Sequence, residues 1–454
     1  MNAVRGKRSL GAVYTPEKIS DFMVSLAGPP LGERWNVLEP ACADAPFLQA
    51  FAQRWGRHHC LTGVELNLEA DKAFAVLHAR HVHTDYLLWE PEERFDLVIG
   101  NPPYGIIGNA SHYPIHGLLD VKQQYKQRFQ TWHGKYNVYG AFIEHSVHLL
   151  REGGQLVLVV PSTWLVLDDF APLRRFLAER GQLNVHYLGK AFEGVSVVAV
   201  VLHFIKGPET ERLALYDQDN TLAVQEDHYH GDLICFRTPD TDRFEQRSKV
   251  ILGDLFQVRF AARSPEYQKS EWVSSTPQEG MLPVLTGRNL KPGWIDYETN
   301  YSGLWIRPEN AGRMREFYSR PHIVVAHTKG SKVVAALDHR CFAWREDFHL
   351  APRYPVDEQA ITNYLNSEPM QEYVKTLYRD LTPHLTRTQL LRLPMPQEMM
   401  PDAIPLPKQL QLMMETVTTS YSPEGLPNDI IAPSAPTASA LNHTRAVCEC
   451  RAAP

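Results

Sequence analysis

Short apolar runs alternate with helical patterns over the first half of the chain, from Trp35 to about Gly207. The runs have the length and β-branched content of buried strands, and the segments between them repeat apolar residues every three or four positions. This alternation is typical of an α/β fold with a mostly parallel, doubly wound sheet and helices on both faces. The predicted strands are Asn36–Glu39, Cys60–Glu65, His81–Asp85, Phe95–Gly100, Gln155–Val160 and Val195–Phe204, and the predicted helices are Pro46–Trp55, Tyr139–Arg151 and Phe170–Arg180.

The pattern changes after about residue 245. Two strand-like runs, Ile323–Ala326 and Lys332–Ala336, lie among loops rich in Gly, Pro and charge, and Glu372–Leu393 has a helical pattern broken at Pro383. These features predict a second, smaller α+β domain. Beyond Pro396 the chain is rich in Pro, Ser, Ala and Thr without apolar periodicity, which predicts disorder. The predicted division is therefore residues 1–244, residues 245–397 and a disordered tail, residues 398–454.

Composition and charge distinguish the two domains. With 454 residues, 44% of them apolar, and a net charge of −6, the chain is long enough for two or three globular domains and unlike a disordered or fibrous protein. Residues 241–400 nevertheless carry 21 Lys and Arg against 19 Asp and Glu. A mildly basic region in an acidic chain indicates a polyanionic partner weakly, and chance variation in composition explains it equally well.

Signals for export, membrane insertion and metal binding are missing from the sequence. The six cysteines form no C-x-x-C pair, and the first residues contain no apolar core of the signal-peptide kind. No apolar run approaches the roughly 20 residues of a membrane span. His78, His81 and His83 are close in sequence but fall on a predicted strand and its approach, which does not favour a metal site. We therefore expect a soluble cytoplasmic protein without a metal.

Three acidic residues, Glu39, Glu65 and Asp85, end three successive predicted strands. The carboxyl ends of strands in a doubly wound sheet meet at one edge, where nucleoside ligands bind. Carboxylates accept hydrogen bonds from the hydroxyl, amine and ammonium groups of such a ligand. The sequence contains neither G-x-G-x-x-G nor G-x-x-x-x-G-K-[ST], so a pyrophosphate cradle is not supported. Three solvated strand-end acids remain the alternative for these residues taken alone.

The tetrapeptide Asn101-Pro102-Pro103-Tyr104 follows the fourth predicted strand directly. An amino group on an aromatic ring is a poor nucleophile, because its lone pair is delocalised into the ring. The side-chain oxygen of Asn101 and the carbonyl of Pro102 are two acceptors that can bind its hydrogens and aim the lone pair at an electrophilic methyl group. The prolines stiffen the loop, and Tyr104 offers a flat face for stacking. A simple turn is the alternative for an Asn-Pro-Pro sequence in isolation.

Taken in order, these motifs resemble the gamma-class S-adenosylmethionine-dependent adenine-N6 DNA methyltransferases, and among them the TaqI type. The resemblance covers residues 9–397. It rests on Thr15-Pro16, Leu38–Ala43, Gly63–Glu65, Asp85 and Asn101–Gly105, and on longer stretches such as GKYNVYGAF, PSTWLVLDDFAPLRRFLA, PVLTGRNLKPGW and LYRDLTPHLT.

The resemblance implies roles for matching positions. Phe192 would pack on the target base together with Tyr104, although its apolar surroundings alone favour a core position. S-adenosylmethionine would be held by Thr15, Glu39, Pro40, Ala41, Cys42, Glu65, Asp85 and Pro103. The second domain would read DNA, and its candidate contacts are Arg263, Arg288, Lys291, Lys329, Lys332, Arg379 and Pro383, with His384 beside them. Each basic residue has a solvated surface position as its alternative.

One position departs from the family pattern. Ala45 stands where the family usually has Gly, and a positive φ or a close backbone approach there would favour Gly. This departure weakens the expectation of tight cofactor binding and is the sole support for a catalytically silent DNA-binding protein.

The resemblance implies a modification enzyme that acts as a monomer on double-stranded DNA. It would flip the adenine of 5′-TCGA-3′ out of the duplex and methylate its N6, alongside a separate restriction endonuclease for the same site. The alternative activity is N-methylation of RNA or of a protein glutamine, because both substrates present the same kind of planar nitrogen.

Overall fold

Two β-sheets dominate the computed structural model, which describes residues 15–30, 32, 34–66, 74, 77–108, 114–115, 117–192 and 197–399. The larger sheet has nine strands and the smaller has four. Most of the predicted disordered tail, from residue 400 onward, lies outside the described residues, so the structure does not bear on that prediction.

The nine-stranded sheet belongs to the first half of the chain. Its strands are β1 Asn36–Pro40, β2 Cys60–Glu65, β3 Arg80–His83, β4 Phe95–Gly100, β5 Leu150–Pro161, β6 Gly181–Gly189, β7 Ala199–Lys206, β8 Leu213–Tyr216 and β9 Leu222–Glu226. Their order in the sheet is β9-β8-β6-β7-β5-β4-β1-β2-β3. Five neighbouring pairs are parallel, and antiparallel pairing occurs where β7 meets β5 and β6 and where β8 meets β9.

Both faces of this sheet are covered. Strand β4 is buried at all six positions, and because side chains alternate between faces, Leu97 and Ile99 join one apolar cluster while Val98 joins another. The helices of this half are α1 Glu17–Leu26, α2 Pro46–Trp55, α3 Lys122–Arg128, α4 Tyr139–Leu149 and α5 Ala171–Ala178, with 3-10 turns at Tyr86–Leu88, Ser162–Leu165 and Asp168–Phe170. Helices α1 and α2 pack on the face of Leu97, and α4 and α5 pack on the face of Val98.

The second half of the described chain forms a smaller α+β arrangement around an antiparallel sheet of four strands, β10 Phe256–Phe260, β11 His322–Val325, β12 Ala335–Asp338 and β13 Phe348–Pro352. Their order in the sheet is β10-β13-β11-β12. The helices are α6 Pro239–Gln246, α7 Leu252–Leu255, α8 Ser264–Lys269, α9 Pro308–Met314, α10 Glu358–Leu365, α11 Glu368–Tyr378 and α12 Arg387–Leu391, with 3-10 turns at Glu316–Ser319 and Gln397–Met399. Paired two-residue strands complete it at Val250–Ile251, Val273–Ser274, Leu282–Pro283, Leu285–Thr286, Leu290–Lys291, Trp294–Ile295, Trp305–Ile306, Trp344–Arg345 and Pro394–Met395; a further pair, Ile106–Ile107 with Pro114–Ile115, lies in the first half.

The predicted fold class is confirmed, and most predicted elements appear within a few residues of their predicted bounds. Strand β6 was not predicted, because polar residues such as Asn184 and His186 interrupt its apolar pattern. Both residues are nevertheless buried in the structure. Nδ1 of His186 shares a hydrogen bond of 2.7 Å with Oδ1 of Asn220, which compensates the burial of that ring nitrogen. The predicted boundary near residue 245 falls within α6, Pro239–Gln246, near the start of the second arrangement, and stays a prediction.

The described residues contain no helix that is both long enough and apolar enough to cross a bilayer. In the same part of the chain, no three His, Cys, Asp or Glu side chains gather where they could hold a metal ion.

Candidate active site

The Asn-Pro-Pro-Tyr tetrapeptide lies at the carboxyl edge of the large sheet, directly after β4. Gly100 ends this strand beside the end of β1, where an added Cβ would lie 3.2 Å from Cδ of Pro40. A side chain at position 100 would therefore push the two strand ends apart. The close approach brings Asn101, which follows β4, next to the residues that follow β1.

Asn101 is oriented by a contact with the start of the described chain. Its Nδ2 donates a hydrogen bond of 2.9 Å to Oγ1 of Thr15, which is itself buried. Because the amide nitrogen is bound to Thr15, the amide plane is fixed and the position of Oδ1 is fixed with it. The two residues are 86 positions apart in sequence, so this contact links the N-terminal motif to the tetrapeptide.

Asn137, just before helix α4, and strand β5 hold the loop from the other side. Oδ1 of Asn137 accepts a hydrogen bond of 2.8 Å from the backbone N–H of Gly105, and the Tyr104 hydroxyl donates to the carbonyl of Val159 at 3.0 Å. Burial raises the pKa of the Tyr104 phenol well above its ordinary value, with a smaller contribution from Tyr139, so the hydroxyl stays protonated and remains a donor. These bonds fix the tetrapeptide before any substrate is bound.

A pocket of about 360 Å³ opens beside Asn101. It combines five predicted site residues with others from helices α1 and α2 and from the β1–α2 loop. Its lining residues are Thr15, Glu17, Ser20, Asp21, Glu39, Ala41, Cys42, Ala43, Asp44, Pro46, Phe47, Gln49, Ala50, Gln53 and Asn101. Four carboxylates and no Lys or Arg face this pocket, so its lining suits a cationic ligand.

Glu39 is the most deeply buried of these acids, with 1% of its surface exposed. Its Oε2 accepts a hydrogen bond of 2.9 Å from the N–H of Leu48 in the first turn of α2. Burial raises the pKa of Glu39 well above its ordinary value; N–H groups of Leu48 and Phe47 oppose this, and Glu65 adds to it. A bound cation would offset the cost of ionising this carboxyl, which is the physical basis for a cation site here.

Three alanines in the β1–α2 loop have left-handed backbone conformations: Ala41 at φ 49°, Ala43 at φ 44° and Ala45 at φ 54°. Gly was expected at position 45 from the family pattern, and the positive φ of Ala45 is the physical reason. The loop is held in this shape by Oε2 of Glu65, which accepts a hydrogen bond of 2.9 Å from the N–H of Ala43. The cavity beside the loop is formed with alanine in place of glycine, at a cost in backbone strain.

Two of the predicted cofactor acids lie outside the pocket lining. Glu65 reaches the loop through Ala43, as described, and Asp85 accepts hydrogen bonds at both carboxylate oxygens. One comes from the N–H of Leu87 at 3.0 Å and the other from the Tyr125 hydroxyl. Pro40 ends β1 in a buried position, and Pro103 is half-buried after Asn101. The predicted ligand contacts of these four residues stay predictions.

The proposed aromatic partners of the target base are both buried here. Tyr104 is 5% exposed. Phe192 is 4% exposed and belongs to the apolar cluster on the sheet face against which α1 and α2 pack. They belong to different apolar clusters, and the described residues show no contact between the two rings. The core position of Phe192 agrees with its apolar sequence context, and its predicted contact with the base stays untested.

Two loops of the second half carry several predicted DNA contacts and lie against each other. The N–H of Gly330 donates to the carbonyl of Pro383 at 3.1 Å, and the rings of His327 and His384 stack with centroids 4.9 Å apart. Lys329 is half-buried next to these contacts. The structure therefore brings Lys329, Pro383 and His384 together.

The other basic candidates differ in their surroundings. Arg263, Arg288 and Lys332 are exposed and Lys291 is half-buried. The Arg263 guanidinium lies over the ring of Phe260 at 5.4 Å from its centroid. Arg379 is different, because its guanidinium binds the carboxylate of Asp217 through two hydrogen bonds. A DNA contact by any of these residues stays a prediction.

Sequence reasoning missed several residues that build this site. Among the pocket-lining residues it missed Glu17, Asp21, Asp44 and Gln53, and among the supporting residues it missed Asn137. The start of α2 carried the available signal, because the first turn of a helix that follows a ligand-binding strand faces the same sheet edge. Asn137 carried no local signal.

Two family models match separate parts of the chain. A family model described as Eco57I restriction-modification methylase matches residues 59–191, and one described as TaqI-like C-terminal specificity domain matches residues 282–395. The type II methyltransferase M.TthHB8I of Thermus thermophilus is 54% identical over 396 residues, which cover 85% of this chain and 91% of that protein. The chain belongs to the type II restriction-modification methyltransferases.

More distant relatives cover different shares of the chain. The type II methyltransferase M.PaeR7I of Pseudomonas aeruginosa is 28% identical over 219 residues, which cover 40% of this chain and 37% of that protein. Among solved structures, the type IIG restriction endonuclease BpuSI is similar at a TM-score of 0.45 and 13% identity, covering 88% of this chain and 60% of that one.

Family membership makes the chain a DNA methyltransferase that uses S-adenosylmethionine and carries a TaqI-like recognition domain at its C-terminal side. It thereby favours DNA over the RNA and protein-glutamine alternatives. The acidic pocket fits this cofactor, because S-adenosylmethionine carries a sulfonium and an ammonium group, and Glu39 is a buried carboxyl that a cation would stabilise. Thr15, Glu39, Ala41 and Cys42 are the lining residues that would hold it.

Proposed function

We propose that this enzyme is a gamma-class methyltransferase that modifies the N6 amine of adenine, with 5′-TCGA-3′ as its site. The observation that carries the proposal is the fixed Asn101 amide at the mouth of the acidic pocket, bound through Nδ2 to Thr15. An exocyclic amine needs acceptors that draw its hydrogens away from the ring plane. Oδ1 of Asn101 and the carbonyl of Pro102 are acceptors of that kind.

When bound, S-adenosylmethionine supplies an electrophilic methyl group on its sulfonium. The residues of the chain position the nucleophile: Asn101 and Pro102 accept the two amine hydrogens, which turns the nitrogen lone pair toward the pocket. After nitrogen has gained its fourth bond, it loses one proton along these hydrogen bonds to solvent. Asn101 is uncharged and binds rather than removes that proton, so turnover should depend little on the ionisation of the tetrapeptide.

The target adenine must leave the duplex to reach Asn101. Extrusion costs a few kcal/mol, and stacking on aromatic side chains contributes about 1–3 kcal/mol per contact. Tyr104 and Phe192 are the aromatic residues we propose for this contact, which requires them to become accessible from their buried positions. The recognition domain, proposed as residues 245–397, would select the site through its basic loops. We further propose that the enzyme acts as a monomer in the cytoplasm beside a separate endonuclease of the same specificity.

Replacement of Asn101 tests the assigned chemistry. We expect Asn101→Ala to lower kcat by at least about 1,000-fold, since it removes an acceptor and the Thr15 contact, while the Kd for S-adenosylmethionine and for duplex DNA changes by less than about fivefold. Single-turnover transfer of labelled methyl to a TCGA duplex measures kcat, and calorimetry measures the two affinities. Asn363→Ala, on the exposed surface of α10, is the matched control and should behave as the wild type. Turnover of Asn101→Ala near the wild-type rate would refute the assignment.

A further inference from the structure

Residues 379–385, here the docking segment, run along the carboxyl edge of the large sheet although they belong to the second half of the chain. The Ser162 hydroxyl, just after β5, donates to the carbonyl of Leu381 at 2.8 Å. The Tyr187 hydroxyl, near the end of β6, donates to a carboxylate oxygen of Asp380. Asp217, just after β8, binds Arg379. Three strand ends thus hold the segment at the sheet edge on which Asn101 lies after β4.

Arg379 makes the most specific of these contacts. Its Nη1 and Nη2 donate to Oδ1 and Oδ2 of Asp217 at 2.8 and 3.1 Å, a two-bond geometry that fixes both direction and distance. The guanidinium also lies 3.6 Å from the ring centroid of Phe236. The hydrogen bonds from Arg379 are the largest influence on the pKa of Asp217, which is lowered. The head group is therefore held on its edge by a carboxylate and on its face by an aromatic ring.

The backbone at Arg379 has a conformation that is disfavoured for an L residue. Helix α11 ends at Tyr378, and Arg379 has φ 44° and ψ −131°. The Ser331 hydroxyl donates to its carbonyl. Such a turn persists where surrounding contacts fix it, and here they turn the chain from α11 onto the sheet edge.

The far end of the docking segment meets the basic loop between β11 and β12, residues 326–334. Pro383 accepts a hydrogen bond from Gly330, and the N–H of Leu385 donates to the carbonyl of His327 at 3.0 Å. The loop carries Lys329 and Lys332, two predicted DNA contacts. One continuous segment thus joins the sheet edge to a predicted DNA-contacting loop.

We propose that Arg379 is a positioning residue, which through Asp217 fixes the docking segment and the basic loop relative to the methyl-transfer site, and that it is not a phosphate ligand. A phosphate would have to displace Asp217 from a guanidinium whose two terminal nitrogens are already bound and whose face is covered on one side by Phe236. The ion pair instead sets the distance between the loop that holds DNA and the residue that receives the base. The proposal rests on the proposed function in one respect, the identification of Asn101 as the reacting centre.

Variants at both ends of the ion pair distinguish the two roles. The set is Arg379→Ala, Asp217→Asn, the double variant of these two, and the exchanged pair Arg379→Asp with Asp217→Arg. Arg243→Ala, which breaks an exposed ion pair with Asp240 on α6, is the matched control. For each full-length protein we would measure kcat and KM for a DNA duplex, the Kd of S-adenosylmethionine, and the slope of log Kd for DNA against log salt.

If Arg379 positions the domains, Arg379→Ala and Asp217→Asn each lower kcat by about tenfold, and the double variant is no worse than either single variant. The salt slope and the cofactor Kd stay at wild-type values, and the exchanged pair recovers part of kcat. If Arg379 were a phosphate ligand, Arg379→Ala would reduce the salt slope by about one while Asp217→Asn would leave kcat intact or tighten DNA binding. That result, or an unchanged kcat in both single variants, would overturn the proposal.

Asp217→Asn keeps the size of the side chain, so it remains informative should Arg379→Ala fold poorly. Total methyl transfer is the readout, whichever base receives it. A methyl group found on another base would therefore contradict the proposed function while the comparison among ion-pair variants stays valid.

Discussion

Two neighbouring carboxyls in the recognition domain, Glu346 and Asp347, should affect stability in opposite directions. Asp347 is 1% exposed, and its Oδ1 accepts a hydrogen bond of 3.2 Å from the N–H of His327. No hydrogen-bond donor among the described residues reaches its Oδ2. Burial raises the pKa of Asp347 to about 7 from 3.8, while the His327 N–H lowers it and Glu346 raises it. The folded protein therefore holds a proton on Asp347 that the unfolded chain releases near pH 4.

The magnitude follows from this shift. A carboxyl with a raised pKa costs no stability below about pH 4, costs progressively more as the pH rises toward 7, and costs a constant amount above that. Each pKa unit corresponds to about 1.4 kcal/mol, so a shift of about 3 units costs about 4 kcal/mol at pH 8. Asp347→Asn removes this cost and adds buried N–H donors, a penalty of about 1–2 kcal/mol. We expect a free energy of unfolding higher by about 2 kcal/mol at pH 8 and nearly unchanged at pH 5.

Glu346 supplies the comparison. Partial burial would raise its pKa, but hydrogen bonds from Ser264 and the charges of Arg345 and His327 lower it overall. A lowered carboxyl pKa adds stability that is present at neutral pH and lost in acid. Glu346→Gln should therefore destabilise the protein at pH 8, where Asp347→Asn stabilises it. Urea unfolding at pH 5, 6, 7 and 8 measures the free energy of unfolding of both variants. The reasoning would be refuted if Asp347→Asn were no more stable than the wild type at pH 8, or if the difference between them did not grow with pH.

Two further predictions concern the acidic pocket. A left-handed alanine costs the folded protein about 1–2 kcal/mol, and glycine removes that cost but raises the entropy of the unfolded chain, which destabilises by about 0.4–1 kcal/mol. Because Ala43 is exposed, Ala43→Gly should therefore stabilise the protein by about 0.5–1 kcal/mol. Ala45→Gly also removes a fully buried methyl group, whose burial contributes about 0.8 kcal/mol, and should leave the free energy of unfolding in urea nearly unchanged. If Ala45→Gly stabilised the protein more than Ala43→Gly, the strain argument would be contradicted. Because burial raises the pKa of Glu39, ionised Glu39 opposes folding of the free enzyme, and Glu39→Gln should raise its Tm at pH 7 but not below pH 4. The same variant should weaken S-adenosylmethionine binding by calorimetry, and equal or tighter binding would remove Glu39 from the cation site.

The residues that end strands could be predicted from sequence because the signal is local. Strands β2 and β4 and helix α2 have the predicted bounds, since each is an uninterrupted apolar or amphipathic run with a clear end. The acids and the tetrapeptide that follow such strands therefore fall at the expected sheet edge. Asn101 and Glu39 meet at one pocket for this reason.

The remaining features depend on contacts that leave no local trace. Arg379 reads as one more basic residue, and its partner Asp217 is 162 positions away. The left-handed conformation of Ala45 was suspected only through comparison with a family pattern, and Ala41 and Ala43 gave no sign of theirs. Strand β6 was hidden by its polar residues, of which His186 meets its hydrogen-bond partner Asn220 only after folding.

Identification of the methylated base tests the central claim most directly. The samples are plasmid DNA from cells that express the enzyme and a TCGA duplex treated with the purified protein. Both would be digested to nucleosides and analysed by mass spectrometry, with DNA exposed to the Asn101→Ala variant as the negative control. We predict N6-methyladenine as the modified nucleoside, mapped to the adenine of TCGA by strand-specific sequencing and absent from the negative control. Methyl groups on cytosine, or on adenine outside that site, would contradict the proposed specificity, and an equal yield from Asn101→Ala would contradict the proposed chemistry.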